Sequence, residues 1–308
     1  DSVASRGLGD VYKRQMQTLK DLAVLCTSTC TSKDGSTEIS GITLQSAAVQ
    51  PGDMFAALPG LHVHGAHFVE DACQRGASAV LTDPEGARIV ASTGVNNIPL
   101  LVVDDIRAVL GRVSAAIYGN PSYDVPVIGI TGTSGKTTTS YLIESAFRTA
   151  GHSVGMIGTT GSRINGVRVP GSLTTPEAPD LQRLFATMRD DGVHRIVMEV
   201  SSHSLLLGRV GGTRFRIGAF LNLSQDHLDF HHTMEEYFQA KARLFTKDSG
   251  TCCDRAVICI DDSWGLRMRD IAEASGCTPV TVSTTGNADY SAGPCLLYTS
   301  DAADDSLR

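Results

Sequence analysis

Residues 127–140, reading Val-Ile-Gly-Ile-Thr-Gly-Thr-Ser-Gly-Lys-Thr-Thr-Thr-Ser, constrain this chain more than any other stretch. An apolar run of strand character gives way to a glycine turn. The turn opens a segment with apolar groups at helical spacing, which Gly151 closes. A strand, a glycine turn and a helix start bring successive backbone N–H groups to one point, where a phosphate can sit. Lys136 adds a charge for the outer phosphates, and the Thr137 hydroxyl suits a magnesium ion. Gly132, Thr133, Ser134, Gly135, Lys136, Thr137 and Thr138 are therefore the expected binding residues for ATP or GTP. The common P-loop places a glycine five residues before the Gly of Gly-Lys, and Ile130 stands there, so the pattern is the shorter Gly-Thr-Ser-Gly-Lys-Thr. A chance glycine turn is the alternative, and the strand before and Lys-Thr after it weigh against that.

With 308 residues, 42% apolar and 19% charged, the chain suffices for two folded domains of ordinary size. A net charge of −7 argues against a general nucleic-acid binder. No apolar run reaches membrane-spanning length and no secretory signal is visible, so a cytoplasmic setting is expected. Cysteines 26, 30, 73, 252, 253, 259, 277 and 295 look scattered, without Cys-x-x-Cys spacing, and read as reduced structural thiols.

Strands alternate with helices along most of the chain, which predicts an α/β fold in two parts. Residues 16–122 form a small α/β domain, with strands expected at 38–44, 53–58, 77–82 and 99–103 and helices at 67–75 and 106–118. The turn cluster 119–122 is the expected linker. Residues 123–294 predict a mostly parallel, doubly covered sheet of P-loop ATPase type. Its strands are expected at 125–131, 153–157, 195–200, 217–221, 256–260 and 279–282, and its helices at 137–150, 178–190, 234–245 and 263–274. Ligands of such sheets sit beyond the carboxyl ends of the strands. Residues 1–15 and 295–308 do not join the pattern, resemble translated adaptor sequence, and are expected to be non-native.

Three further segments could carry chemistry. The apolar run 195–200 contains Glu199, a costly carboxylate that is either half of a buried ion pair or a magnesium ligand, and the second is favoured. Residues 222–232, Asn-Leu-Ser-Gln-Asp-His-Leu-Asp-Phe-His-His, are dense in polar groups after another strand. A solvated loop is one bland reading of them, and a zinc site is another. Zinc is disfavoured there, because His227 and His231 lack a Cys or Glu at partner spacing and a strand-to-loop context gives no shared helix face. Lys241, in the helical run 235–245, reads from composition alone as a solvated lysine.

The loop resembles that of the Mur ligase family, in which Gly-Thr-x-Gly-Lys-Thr-Thr binds ATP, and the resemblance extends over residues 20–285. Within the family, Thr-Thr-Pro at 174–176 and Val-Ser-Ser-His-x-Leu at 200–205 followed by Arg209 are similar to the tripeptide-synthetase branch. That resemblance implies an ADP-forming amide ligase of peptidoglycan precursor synthesis. It would join a diamino acid, meso-diaminopimelate or L-lysine, to UDP-N-acetylmuramoyl-L-alanyl-D-glutamate, acting as a monomer. It implies that His227, in Asp-His-x-Asp, ligates a second metal ion, with Thr137 and Glu199 as further magnesium ligands. It implies that Lys241 is carbamylated and supports magnesium through two oxygens, and that Lys136, Glu199, His227 and Lys241 are catalytic.

The same resemblance makes Thr174, Thr175, Ser201 and Arg209 contacts to the muramoyl-dipeptide, and Leu44 and Ser46 contacts to the UDP-sugar. Taken alone, the threonines could equally form a turn and Arg209 a surface cation. Gln45 and Ala47 replace the usual Asp and Arg beside Ser46, and Ile260 stands where relatives have Asn before an x-Asp-Asp run. No Asp-Asn-Pro-Arg run, the family's grip on the diamino acid, occurs in the sequence. A chain that ends before a third domain, and is inactive alone, is the expectation. The alternatives are another Mur-type or folylpolyglutamate-type ligase, a P-loop kinase, or a non-catalytic ATP-binding module.

Overall fold

A computed structural model describes residues 16–292, apart from 28, 31–34, 96 and 170–173. The expectations for residues 1–15 and 295–308 fall outside the described residues. The chain divides into two compact units. Among the described residues, one comprises 16–106 with 116–119, and the other comprises 107–115 with 120–292.

The first unit begins with β1 (Gln17–Thr18) and α1 (Leu19–Leu25), where Thr18 and Asp21 form a reciprocal capping box. Strands β2 (Thr29–Cys30), β3 (Glu38–Ile39), β4 (Gly41–Thr43) and β5 (Asp53–Ala56) follow. Then come α2 (Val69–Gln74), β6 (Ala79–Thr82), α3 (Pro84–Ser92) and β7 (Leu100–Val102), and the chain passes into α4 (Ile106–Ile117), most of which belongs to the second unit. The five-stranded sheet runs β2-β7-β6-β5-β4, parallel except for β2. Every residue of β6 is buried, as an apolar run covered on both faces requires. Val49, Phe55, Ala66, Val69, Val80 and Val90 are the centre of one core cluster.

The second unit contains α5 (Pro121–Asp124), β8 (Val127–Thr131), α6 (Lys136–Thr149), β9 (Val154–Gly158), β10 (Gly161–Ile164) and β11 (Val167–Val169). It continues with α7 (Ala178–Asp190), β12 (Arg195–Glu199), α8 (Ser202–Leu206), β13 (Phe215–Phe220), α9 (Leu228–His231) and α10 (Met234–Ala242). It closes with β14 (Ala256–Cys259), α11 (Ser263–Ala274), β15 (Pro279–Ser283) and β16 (Tyr290–Ser291). The nine strands run β11-β10-β9-β12-β8-β13-β14-β15-β16. From β9 to β16 all pairs are parallel, and an antiparallel hairpin, β10 and β11, borders β9.

Alternation along the strands assigns the two faces of this sheet. Val127, Ile196, Met198, Phe215 and Phe220 belong to one core cluster, with Phe185 and Phe238. Ile128, Ile130, Val154 and Val197 belong to the other, packed with Ile143 and Phe147 of α6. Glu199 is two residues beyond Val197 and therefore faces α6.

Two sequence expectations need correction. The polar run 222–232 is not all loop, because Leu228–His231 makes one helical turn. The cysteines are not all scattered. Cys252, Cys253 and Cys277 meet before β14 and β15, with 3.9 Å between the Cys252 and Cys277 sulfurs. All three are free thiols. Burial and the neighbouring Cys277 push the Cys252 thiol up to about 12.

Candidate active site

The site is built at the carboxyl end of β8. Val127–Thr131 is buried throughout, and the chain leaves it into Gly132–Gly135 and then α6. Gly135 caps α6 at φ +84, a left-handed conformation that an L side chain resists, so glycine is required there. The N–H groups of Gly135, Lys136, Thr137 and Thr138 have no acceptor among the described residues. They converge at a helix N-terminus, whose partial positive charge favours an anion. Lys136 Nζ donates to the carbonyls of Gly132 and Thr133, each at 2.8 Å. Burial lowers its pKa, while Glu199 and Asp226 act in the opposite sense.

Glu199 lies in register with Ile130 of β8 and is fully buried. Its Oε1 accepts from Thr137 Oγ1 at 3.0 Å and from Thr159 N at 2.9 Å. Its Oε2 accepts from Thr159 Oγ1 at 3.1 Å. Any side chain at Gly158 would collide with this carboxylate, which explains the glycine there. No cation pairs with Glu199 among the described residues, so the ion-pair alternative fails. A carboxylate left uncompensated in the interior, beside a threonine hydroxyl, is a donor set that fits a hard cation such as Mg²⁺.

Lys241 is not a surface residue. It is 1% exposed, on the buried face of α10. Its Nζ donates to Gly132 O at 2.9 Å and stands 4.3 Å from the centre of the Tyr237 ring. Burial first, then the charge of Lys136, pushes this amine down to about 7. The sequence hides its burial, because only the packing of α10 against the sheet creates it.

His227 takes a left-handed conformation at φ +53, a strained position for a non-glycine residue. Its ring is exposed, with Nε2 3.5 Å from Asp226 Oδ2. The imidazoles of His203 and His231 stand nearby, with centroids 5.0 Å apart for His203 and His227 and 5.4 Å for His203 and His231. His231 is buried and bonds Ser202 Oγ at 2.8 Å. Burial, then the charges of His203 and Lys241, pushes it down to about 4, so it is neutral near pH 7. Among the described residues no three His, Cys, Asp or Glu side chains form a metal-binding group.

The expected acceptor contacts occupy the same unit. Thr174 is half-buried, whereas Thr175 is buried with its hydroxyl on Glu199 O at 3.0 Å. Ser201 caps α8, accepting from Ser204 N at 3.1 Å. Arg209 Nε is 2.8 Å from Glu177 Oε1, and Arg107 Nη1 is 3.5 Å from Glu177 Oε2. Arg209 is thus a paired residue and not a free surface cation. In the first unit, Leu44 and Ser46 are half-buried between β4 and the turn Ser46–Ala48. There His64 accepts from Ala66 N at 3.0 Å through Nδ1 and sets Nε2 3.2 Å from Asp83, bracing its loop.

Sequence reasoning missed Thr159, whose two bonds to Glu199 depend on the neighbouring strand β9. It also gave no role to Asn222. That residue's side chain accepts from the N–H groups of Thr133 and Ser134 at 3.1 and 3.0 Å. Its place at the end of an apolar strand was the available signal.

The pattern of the Mur ligase middle domain matches residues 130–303, and that of the Mur ligase family catalytic domain matches residues 38–118. The UDP-N-acetylmuramoyl-L-alanyl-D-glutamate–2,6-diaminopimelate ligase of Corynebacterium glutamicum is 55% identical over 260 residues, covering 84% of this chain and 49% of that protein. The ligase of the same name from Streptomyces coelicolor is 52% identical over 256 residues, covering 83% and 49%. The chain thus spans about half the length of these relatives. A solved structure of a ligase with that name aligns at TM-score 0.75 and 30% identity, over 90% of this chain and 54% of the other. MurF from Acinetobacter baumannii, at TM-score 0.60 and 18% identity, shares the fold. With the middle-domain pattern alone spanning more than half of its 308 residues, this chain belongs to the Mur ligase family.

Proposed function

We propose that these residues are the UDP-sugar-binding part, 16–122, and the ATP-binding part, 123–294, of a cytoplasmic amide ligase of peptidoglycan precursor synthesis. The reaction joins 2,6-diaminopimelate to UDP-N-acetylmuramoyl-L-alanyl-D-glutamate, with ATP converted to ADP and phosphate. Names of relatives at 55% and 52% identity support diaminopimelate over L-lysine. The observation that carries the reading is Glu199, a buried carboxylate held by threonines beside an open anion site, with no cation of its own.

Bound Mg²⁺ would neutralise the polyphosphate and the charge that develops on the transferred phosphoryl group. Thr137 and Glu199 would hold it, with His227 and Lys241 toward a second ion. The N–H groups of Gly135 to Thr138 receive the phosphates. Lys136 exchanges two carbonyl acceptors for phosphate oxygens. Arg209, Thr174 and Ser201 orient the glutamate so that its γ-carboxylate attacks the terminal phosphorus. The amine then attacks the acyl phosphate, and the tetrahedral adduct expels phosphate. Leu44 and Ser46 contact the UDP-sugar.

Lys241 serves as a carbamate. Two features support this: the amine is buried without a carboxylate partner among the described residues, and it is neutral enough near pH 7 to react with CO₂. The decisive assay is tripeptide formation by mass spectrometry in an enzyme of the relatives' length carrying this sequence. Lys241→Ala should abolish product, and short carboxylic acids should partly restore it. Full activity in that variant would sink the carbamate, and product with L-lysine alone would sink the choice of amino acid.

A further inference from the structure

Asn222 ends β13 and touches the nucleotide loop with every polar atom of its side chain. Oδ1 accepts from Thr133 N at 3.1 Å and Ser134 N at 3.0 Å, and Nδ2 donates to Ser134 O at 3.2 Å. The amide orientation is fixed by its surroundings, because a flipped group would set NH₂ against two N–H donors. The main chain adds a contact, since Thr133 N also reaches Asn222 O at 3.1 Å. Two residues on, Ser224 N donates to Thr133 Oγ1 at 3.0 Å, and that hydroxyl also meets Tyr237 OH at 3.3 Å.

The loop N–H groups therefore fall into two sets. Those of Thr133 and Ser134 are engaged by Asn222. Those of Gly135, Lys136, Thr137 and Thr138 have no acceptor among the described residues. We propose that Asn222 is a positioning residue that decides which N–H groups face the phosphates and ties the loop to the segment bearing Asp226 and His227. This rests on the nucleotide-binding reading above.

The residue type follows from the geometry. A carboxamide accepts from two N–H groups through one atom and donates to a carbonyl through another, whereas a hydroxyl must do both from a single oxygen on a shorter side chain. Alanine would free the Ser134 N–H and leave Thr133 N on the main-chain carbonyl of residue 222 alone, so that the Ser134 donor competes for the phosphate in a second register. Aspartate would keep the acceptor, lose the donor, and add a negative charge beside the polyphosphate.

The test compares the wild-type chain with Asn222→Ala and Asn222→Asp by site-resolved hydrogen exchange and by calorimetry with Mg-ATP and Mg-ADP. In Asn222→Ala, the Ser134 amide should exchange at least about tenfold faster, the Thr133 amide less so because it keeps the main-chain acceptor, and both nucleotides should bind about 10- to 100-fold more weakly. The melting temperature should move little. In Asn222→Asp, the amides should stay protected while ATP weakens more than ADP. Three results would overturn the proposal: unaltered exchange in Asn222→Ala, nucleotide affinity within about twofold of wild type, or loss of affinity that merely tracks a large fall in melting temperature. If the wild-type chain fails to bind ATP, the nucleotide reading falls, and the exchange measurement still decides whether Asn222 holds the loop.

Discussion

The two ends of the nine-stranded sheet bury polar groups in opposite ways. At the amino-terminal end, Arg214 and Arg216 meet Asp254 at 2.9 and 3.1 Å, in reach of water. The Cys277 thiol there donates to Cys253 O at 3.1 Å. At the carboxyl-terminal end, Glu199 and Lys241 are sealed from solvent, and neither has an opposite charge in contact among the described residues. Isolated ionisable groups in a low-dielectric interior oppose folding, so they persist only where something outside the fold completes them. Imbalance, more than polarity, distinguishes the carboxyl-terminal end of the sheet.

The contrast can be broken by experiment. The largest effect is expected from Lys136→Ala, which should weaken ATP binding about 100-fold by removing a charge-assisted contact. Unchanged affinity by calorimetry in a folded variant would place the nucleotide elsewhere.

Next is Lys241→Met. The unfolded lysine titrates at 10.5 and the folded one at about 7, so between these values the unfolded chain binds more protons. Stability of the CO₂-free chain should therefore climb as pH rises through that window, with the full penalty present below pH 7. The methionine variant should be more stable at neutral pH, by on the order of 3 kcal/mol, and should lose the slope. Matching pH profiles in urea unfolding would contradict the burial of a lone amine.

His231 should have a smaller influence. Its folded value of about 4 lies below the unfolded 6.5, so stability is lost as pH falls through this range. His231→Gln should flatten the acid limb by about 1–2 kcal/mol, and an unaltered limb would show that another group drives it.

Least of all should happen at the opposite end of the sheet. With its thiol near 12, Cys252 should react with iodoacetamide at pH 8 at least about tenfold more slowly than a free cysteine peptide. Cys252→Ser should leave ATP affinity unaltered. A clear loss of affinity would mean that the two ends are coupled.

What the sequence discloses is mostly local. The nucleotide loop is legible because glycine, lysine and threonine at fixed spacing have few other uses between a strand and a helix. The capping pair Thr18 and Asp21, and Asp83 before Pro84, mark α1 and α3, which the apolar pattern alone does not reveal. Asn165-Gly166, with φ +52 and +83, is the hairpin signal between β10 and β11. Burial of Lys241, the meeting of three cysteines and the hold of Asn222 on a loop 88 residues away arise from tertiary packing. No window along the chain contains them.

The hairpin has a consequence for how this protein behaves in concentrated solution. A parallel sheet ends in a row of free backbone groups onto which a strand from another molecule can add. Here one border is β11, three residues long, with exposed Arg168 at its centre and Arg163 paired opposite it on β10. The other border, β16, has two residues. Margins of two and three residues, the β11 one also cationic, make poor templates for a strand added from another molecule.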